Sequence, residues 1–351
     1  MEARMTVKRQ EPEKIRPDIS RRQFIGAAAA ATAGVAMWGC GGAPADAPAV
    51  IIPGAMPNSN FNGVQIGTIS YSFRSMPDQS AEAILGYLVE SGVNSVELMG
   101  NPILQFAGQP TSDAPNQNAI DQMTDPAERE AAQRARDAYM VELRQWRASP
   151  PMERFAELRR MYNDAGVTIH LAKFSPGGDP EYADFAFRAA HALGAKGVTN
   201  EIGEDAARAM GPAAVTHGLL AVMHNHGQPS DEEFPGFQHF LDISPGVSLN
   251  FDFGHFFGYT GESPVSTIES LHDRITSFHM KDKAAPEIYG QSGPNMPWGE
   301  GGTPIAEILR LVQREGWPIH CDIELEYPVP EGSNAVEEVK KCVEFCRDVL
   351  A

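Results

Sequence analysis

One punctuation mark recurs along this chain: a helix-forming stretch ends in glycine, and a β-branched or apolar run begins at once. It occurs at Ser91-Gly92-Val93, Ala165-Gly166-Val167, Leu193-Gly194-Ala195, His217-Gly218-Leu219 and Glu315-Gly316-Trp317. Glycine just past a helix end adopts the left-handed cap conformation that other residues resist. A strand straight after it is the second half of a strand–helix–strand unit. The helices carry the matching period: Ala81, Ile84, Leu85, Leu88 and Val89 form a single apolar stripe. Strands are predicted at about 65–70, 94–98, 167–173, 196–201, 219–225, 247–252, 275–280 and 318–326. Eight alternating units predict an α/β fold, a (β/α)8 TIM barrel, over an open doubly wound sheet. No glycine-rich nucleotide fingerprint follows the first strand, which further disfavours the open sheet.

The regions outside this pattern divide the chain. Residues 1–40 read as an export signal: Ser20-Arg21-Arg22-Gln23-Phe24-Ile25 resembles the twin-arginine consensus and precedes a short, weakly apolar run. That run is too short to span a membrane. Met37-Trp38-Gly39-Cys40 loosely resembles a lipoprotein cleavage box, with Trp38 where a small residue is usual, so Cys40 is a candidate for a lipid anchor. Residues 41–62 are rich in Pro, Ala and Gly and read as a tether. The barrel is assigned to 63–351. Within it, residues 101–151 form a long polar insertion after the second strand, helical through Pro126–Trp146. An insertion there sits over the active face of a barrel, as a lid, a solvated excursion or an oligomer contact.

The whole chain carries a net charge of -18. Without residues 1–39, 21 basic residues remain against 42 acidic ones, a net of -21. Such a body repels phosphate backbones, which argues against a nucleic-acid partner. Cys321, Cys342 and Cys346 give neither a disulfide framework nor a CxxC metal signature, and read as packing residues.

Chemistry concentrates in the second half. LAVMHNHG, VSLNFDFGHF, ITSFHMKD and IHCDIELEY each end an apolar run with metal-type ligands: His224 and His226; Asp252 and His255; His279, with Lys281 and Asp282; and Asp322, Glu324 and Glu326. A buried imidazole or carboxylate is costly unless paired or metal-bound. In a barrel all strand C-termini converge on one face. Strand alternation puts His224 with His226, His279 with Lys281, and His320, Asp322, Glu324 and Glu326 together on single faces. Imidazole and carboxylate without thiolate suit one divalent ion such as Mn, Co, Zn or Fe better than Ca.

These stretches resemble the xylose isomerase-like TIM-barrel superfamily of sugar phosphate isomerases and epimerases. The likeness runs from about Val64 to Leu350. It includes Ile69-Ser70-Tyr71-Ser72-Phe73-Arg74, Val96-Glu97-Leu98-Met99-Gly100, the HNH, DFGH and HMKD stretches, Trp298-Gly299-Glu300-Gly301 and the final IELEY. The resemblance implies one divalent metal held from strands five to eight, here by His224, Asp252, His279 and Glu324. The family's usual Glu-Asn-His in strand five stands here as His224-Asn225-His226. His224 therefore replaces a glutamate that in the family is both ligand and base. Glu326, Glu201, His226 and His255 are the remaining candidates for catalytic base, and Lys281 for holding a hydroxyl or developing oxyanion. Glu201 reads equally as a salt-bridge partner or helix cap.

The expected function is α-proton abstraction on a small carbohydrate by a metal-dependent isomerase or epimerase. An exported location, in the periplasm or envelope, favours a non-phosphorylated sugar. Twin-arginine export carries folded proteins, often with the cofactor already loaded. The runner-up is a 3-keto-glycoside lyase on the same scaffold, needing one base only. A non-catalytic sugar-binding lipoprotein is a third reading. DNA-repair endonucleases of the superfamily use more metal ligands and a basic face, which this chain lacks. Oligomeric state is not legible in the sequence.

Overall fold

A computed structural model describes residues 56–351. The export signal, Cys40 and most of the tether lie outside the described residues.

Eight parallel strands close into a barrel: β1 Val64–Ile69, β2 Ser95–Met99, β3 Thr168–Lys173, β4 Gly197–Glu201, β5 Leu220–His224, β6 Val247–Asp252, β7 Ile275–Met280 and β8 His320–Ile323. Each pairs with its sequence neighbours, and closure comes from β8 and β2 both pairing with β1, through Ile323↔Thr68 and Thr68↔Val96. The predicted strands match to within a residue or two, except that β8 stops at Ile323. Glu324 still donates its N–H to the Met280 carbonyl, so the chain keeps its direction past the strand end. All five punctuating glycines hold positive φ, between 64° and 79°, as the helix-to-strand turns require.

The surrounding helices are α1 Ala81–Glu90, α2 Gly100–Phe106, α3 Gln117–Asp121, α4 Pro126–Ala148, α5 Met152–Asp164, α6 Pro180–Leu193, α7 Glu204–His217, α8 Phe237–Ile243, α9 Phe253–Thr260, α10 Val265–Leu271, α11 Ile305–Glu315 and α12 Ala335–Leu350. Their N-termini are capped from the sequence: Ser80, Asp125, Asp179, Asp252 and Asn334 each accept backbone N–H bonds from the first turn. The apolar core lies between the outer faces of the strands and these helices. Phe251, Phe253 and Phe278 pack there edge to face, with Ile66, Leu98 and Val198 also fully buried. Cys321, Cys342 and Cys346 are unoxidised and buried in the same layer, as packing residues.

The insertion after β2 contributes α2, α3 and α4. Only Leu143 of the long α4 is buried, and its last turn docks outward. Trp146 sits 5.5 Å from Phe185 of α6 and 6.5 Å from Phe155 of α5, and Arg147 lies 3.7 Å over the Tyr182 ring. Among the described residues no helix is long and apolar enough to cross a membrane.

The barrel register slips between β6 and β7 at Leu249/Asn250, and between β2 and β3, where Val96 pairs with Ile169 but Glu97 with Leu171. His170 is thus an extra residue in β3, a bulge that re-aims the side chains beyond it. Phe155 is fully buried against Trp146 and Phe185. Phe155→Ala is expected to destabilise the fold by about 3–5 kcal/mol, measured as a lowered urea midpoint with an unchanged slope.

Candidate metal centre

The chain's polar strand ends meet in one place. His224 ends β5, Asp252 ends β6, His279 is the fifth residue of β7, and Glu324 follows β8. Each offers one ligand atom, and these atoms all lie within 4.8 Å of one another. All four residues are buried. His224 Nδ1, Asp252 Oδ2, His279 Nδ1 and Glu324 Oε2 are buried atoms with no hydrogen-bond partner. The last two lie 2.9 Å apart yet are not aligned for a hydrogen bond. That spacing is close to the roughly 3 Å between adjacent donors on one ion with bonds near 2.1 Å. Two imidazole nitrogens and two carboxylate oxygens facing one point fit a divalent cation.

Local structure aims each donor. Asp252 is the N-cap of α9: its Oδ1 accepts the His255 N–H at 2.6 Å, which leaves Oδ2 for the cluster. Asn225, the middle residue of HNH, ties β5 to β6. Its side chain donates to the Asp252 carbonyl and accepts the Asp252 N–H, both at 3.0 Å. His279 Nε2 is 2.8 Å from Glu97 Oε2, and Asn250 Nδ2 donates to the same oxygen at 2.8 Å. Donation from Nε2 turns Nδ1 of His279 toward the cluster, where it would give a lone pair once a bound cation displaces its proton.

The electrostatics favour positive charge at this point. Burial alone lowers the His279 pKa, but the Glu324 and Glu97 carboxylates outweigh it and push it up to about 10. Burial and the cationic Lys173 and His279 hold His224 well below the usual histidine range, so it is neutral with a lone pair to give. Burial opposes ionisation of Glu324, yet Lys281 and His279 hold it well below the usual carboxylate range.

The other predicted residues form a rim. Lys281 Nζ lies 2.8 Å from Glu326 Oε2 and 2.9 Å from His255 Nε2, and also touches Asp252 and Glu324. Burial, then Lys281, lowers the His255 pKa well below normal. Glu201 ends β4; Lys173 donates to its Oε1 at 2.7 Å, and its Oε2 is 3.3 Å from His226 Nδ1. Of Glu201's two sequence readings, the salt bridge is the one present. The His226 side chain is 47% exposed and its ring lies 4.8 Å from that of His255. Asp282 shapes the loop above: it accepts N–H bonds from Gly299, Gly301 and Thr303. A side chain at Gly301 would collide with the Asp282 carboxylate at 2.2 Å.

A family description, xylose isomerase-like TIM barrel, matches residues 130–349, more than half of the chain. The chain belongs to the xylose isomerase-like TIM-barrel family. A twin-arginine translocation pathway signal sequence matches residues 18–38, which marks the chain for export by that route. No curated protein matches the sequence. Among solved structures, a sugar phosphate isomerase/epimerase from Parabacteroides distasonis is similar at 17% identity and TM-score 0.53, covering 81% of this chain and 95% of that one. A D-psicose 3-epimerase with D-tagatose from Clostridium cellulolyticum is similar at 12% identity and TM-score 0.54, covering 82% and 99%. A probable 3-DHS dehydratase from Bacillus anthracis is similar at 16% identity and TM-score 0.51, covering 80% and 98%. At these identities the likeness is one of fold.

As a xylose isomerase-like barrel, this chain places two groups at the centre that the sequence reading gave no role. Glu97, quoted within VELMG, is fully buried and reaches across the barrel to β6 and β7. Its signal was a lone carboxylate in an apolar strand. Lys173 ends β3, and the bulge at His170 turns it into the interior beside Glu201. Strict alternation gives no such signal. His320 and Asp322, on the polar face of β8, belong instead to a separate interior cluster. His170 Nε2 is 2.9 Å from Asp322 Oδ2, and Ser95 Oγ bridges His170 and His320 at 3.0 and 3.1 Å. Glu97→Gln keeps the size of the side chain but weakens its hold on His279. It is expected to lower Mn²⁺ affinity about 10–100-fold, measured by calorimetric titration, with the circular dichroism spectrum unchanged.

Proposed function

We propose that this protein is a divalent-metal-dependent enzyme of the isomerase or epimerase type, acting on a non-phosphorylated carbohydrate in the periplasm or cell envelope. The observation that carries the reading is the convergence of four buried donor atoms that make no aligned hydrogen bond, beside a rim of proton-handling side chains. His224, Asp252, His279 and Glu324 would hold the ion, with Mn, Co, Zn and Fe all suited to the donor set. A divalent ion there supplies Lewis acidity toward a carbonyl oxygen, which acidifies the neighbouring C–H. The export signal supports a sugar without phosphate, since sugar phosphates are mostly cytoplasmic, and Cys40, at the end of the signal segment, offers a site for lipidation.

The rim divides the proton work. His226 is the half-exposed imidazole and takes the proton from the carbon beside the carbonyl. Glu201 Oε2, at 3.3 Å, orients its ring and steadies the imidazolium that forms. Lys173 donates to the other Glu201 oxygen and so holds the carboxylate in place. In an isomerisation His226 gives its proton back at the neighbouring carbon; in an epimerisation His226 releases it to water, and Glu326, anchored by Lys281, relays a proton from water to the opposite face. Lys281 places positive charge beside the oxygen that becomes negative, and His255 accepts its hydrogen bond.

A second reading has its own observation. Both rim carboxylates, Glu201 and Glu326, are held by ammonium groups, and His224 stands where the family's strand-five glutamate acts as base. A single effective base suffices for β-elimination from a 3-keto glycoside. His226 removes the C2 proton, the anomeric C–O bond breaks, and the departing oxygen takes a proton from the rim.

Incubation with free and 3-keto sugars in deuterated water tests both. Deuterium at the α-carbon of a rearranged sugar supports the first reading, and release of the aglycone supports the second. Neither product on any sugar of the panel overturns both. His226→Ala is expected to reduce turnover about 10²–10⁴-fold at unchanged metal content. Replacing Arg21 and Arg22 with lysine is expected to trap the precursor in the cytoplasm. Normal export of that variant, followed by fractionation, would contradict the export route.

A further inference from the structure

Two of the four donor atoms, the carboxylate oxygens, already have a cation within reach. Lys281 Nζ lies 2.9 Å from Asp252 Oδ2 and 2.8 Å from Glu324 Oε2, the same atoms that face the shared point. The other partners of this ammonium are Glu326 Oε2 at 2.8 Å and His255 Nε2 at 2.9 Å. The lysine side chain is 2% exposed, so water screens this charge little. The Asp252 carboxylate is held by the His255 N–H at the start of α9, and the Glu324 backbone by the Met280 carbonyl.

We infer that Lys281 is a built-in competitor of the metal, an internal ammonium that shares two ligand oxygens with the ion and so sets a ceiling on metal affinity. The inference rests on the metal-centre reading above. An ion drawing on Asp252 Oδ2 and Glu324 Oε2 repels the ammonium, which shifts its weight to Glu326 and His255. Glu326 thus acts on the metal through Lys281: by anchoring the ammonium it frees the ligand oxygens. It is a positioning residue in this respect, independent of any proton transfer.

The sign of each effect follows. Lys281→Met removes the competitor at nearly constant volume, and Mn²⁺ affinity is expected to rise at least tenfold. Glu326→Gln weakens the anchor and returns the ammonium to Asp252 and Glu324, so affinity is expected to fall several-fold. Simple loss of a nearby negative charge also predicts a fall, but then the fall would be equal whether or not Lys281 is present. If Lys281 is the intermediary, Glu326→Gln changes affinity much less in the Lys281→Met background.

The experiment is calorimetric titration of Mn²⁺ into the chelator-treated mature protein, for wild type, both single variants and the double variant, each checked by circular dichroism. Tighter binding by Lys281→Met and a shrunken Glu326→Gln effect in its background support the inference. Equal or weaker binding by a folded Lys281→Met variant overturns it while leaving the metal reading intact. If Lys281→Met does not fold, Glu326→Gln alone decides: unchanged or tighter binding overturns the inference. If wild type binds none of Mn²⁺, Co²⁺, Zn²⁺ or Fe²⁺, the metal reading itself fails, and this inference fails with it.

Discussion

The interior of this barrel is held by a hydrogen bond that crosses it. Glu97 leaves β2, passes the barrel axis and meets His279 of β7 and Asn250 of β6, both at 2.8 Å. A fully buried carboxylate in that position is tolerable only with such partners. Once made, the contact fixes which nitrogen of His279 is left to face Asp252 and Glu324. The orientation of the candidate metal centre therefore depends on a residue that touches none of the remaining donors. One layer away, His170 and Asp322 make a second crossing at 2.9 Å. Paired polar groups thus fill much of the space that hydrocarbon layers occupy in many barrels, and most of the hydrocarbon lies in the outer shell between strands and helices.

The repeat of glycine caps and apolar runs made the fold legible, because the cap conformation and the strand period are local properties. The strand ends were legible for the same reason: His224, Asp252, His279 and Glu324 each break an apolar run where β-strand burial should continue. Lys173 was hidden by a register slip at His170, which no period-two reading anticipates. Glu97 stood in plain view in VELMG, but its partners are 153 and 182 residues away, and only closure of the barrel reveals them. Glu201 had two local readings, and the choice between them was made by Lys173 from a neighbouring strand. For Asn225, the pattern HNH drew attention to its flanking histidines, while its own contribution is backbone stitching between β5 and β6.

Several side chains here serve structure and chemistry at once. Asp252 closes the first turn of α9 with one oxygen and faces the donor cluster with the other. Asp282 follows Lys281 directly and gathers three backbone N–H groups of the loop that begins at Trp298. The short HMKD stretch therefore supplies a donor, an ammonium and a loop anchor within four residues. Its neighbour in space, IELEY, supplies Glu324 to the cluster and Glu326 to the ammonium, so the two stretches are two halves of one charge-balanced unit.

The two crossings through the barrel also bear on when the chain becomes fit to leave the cell's interior. Each joins residues more than 150 positions apart, and each strands a carboxylate in a low-dielectric space if its partner is missing. A barrel open at the β1–β8 seam, or short of a strand, leaves those groups in water-exposed disorder and gains nothing from partial burial. Only the closed barrel brings each of these carboxylates to its partner. A route that transports folded chains meets here a fold whose interior charges distinguish finished molecules from unfinished ones. The same polar interior that orients the donors is therefore complete only in the closed barrel.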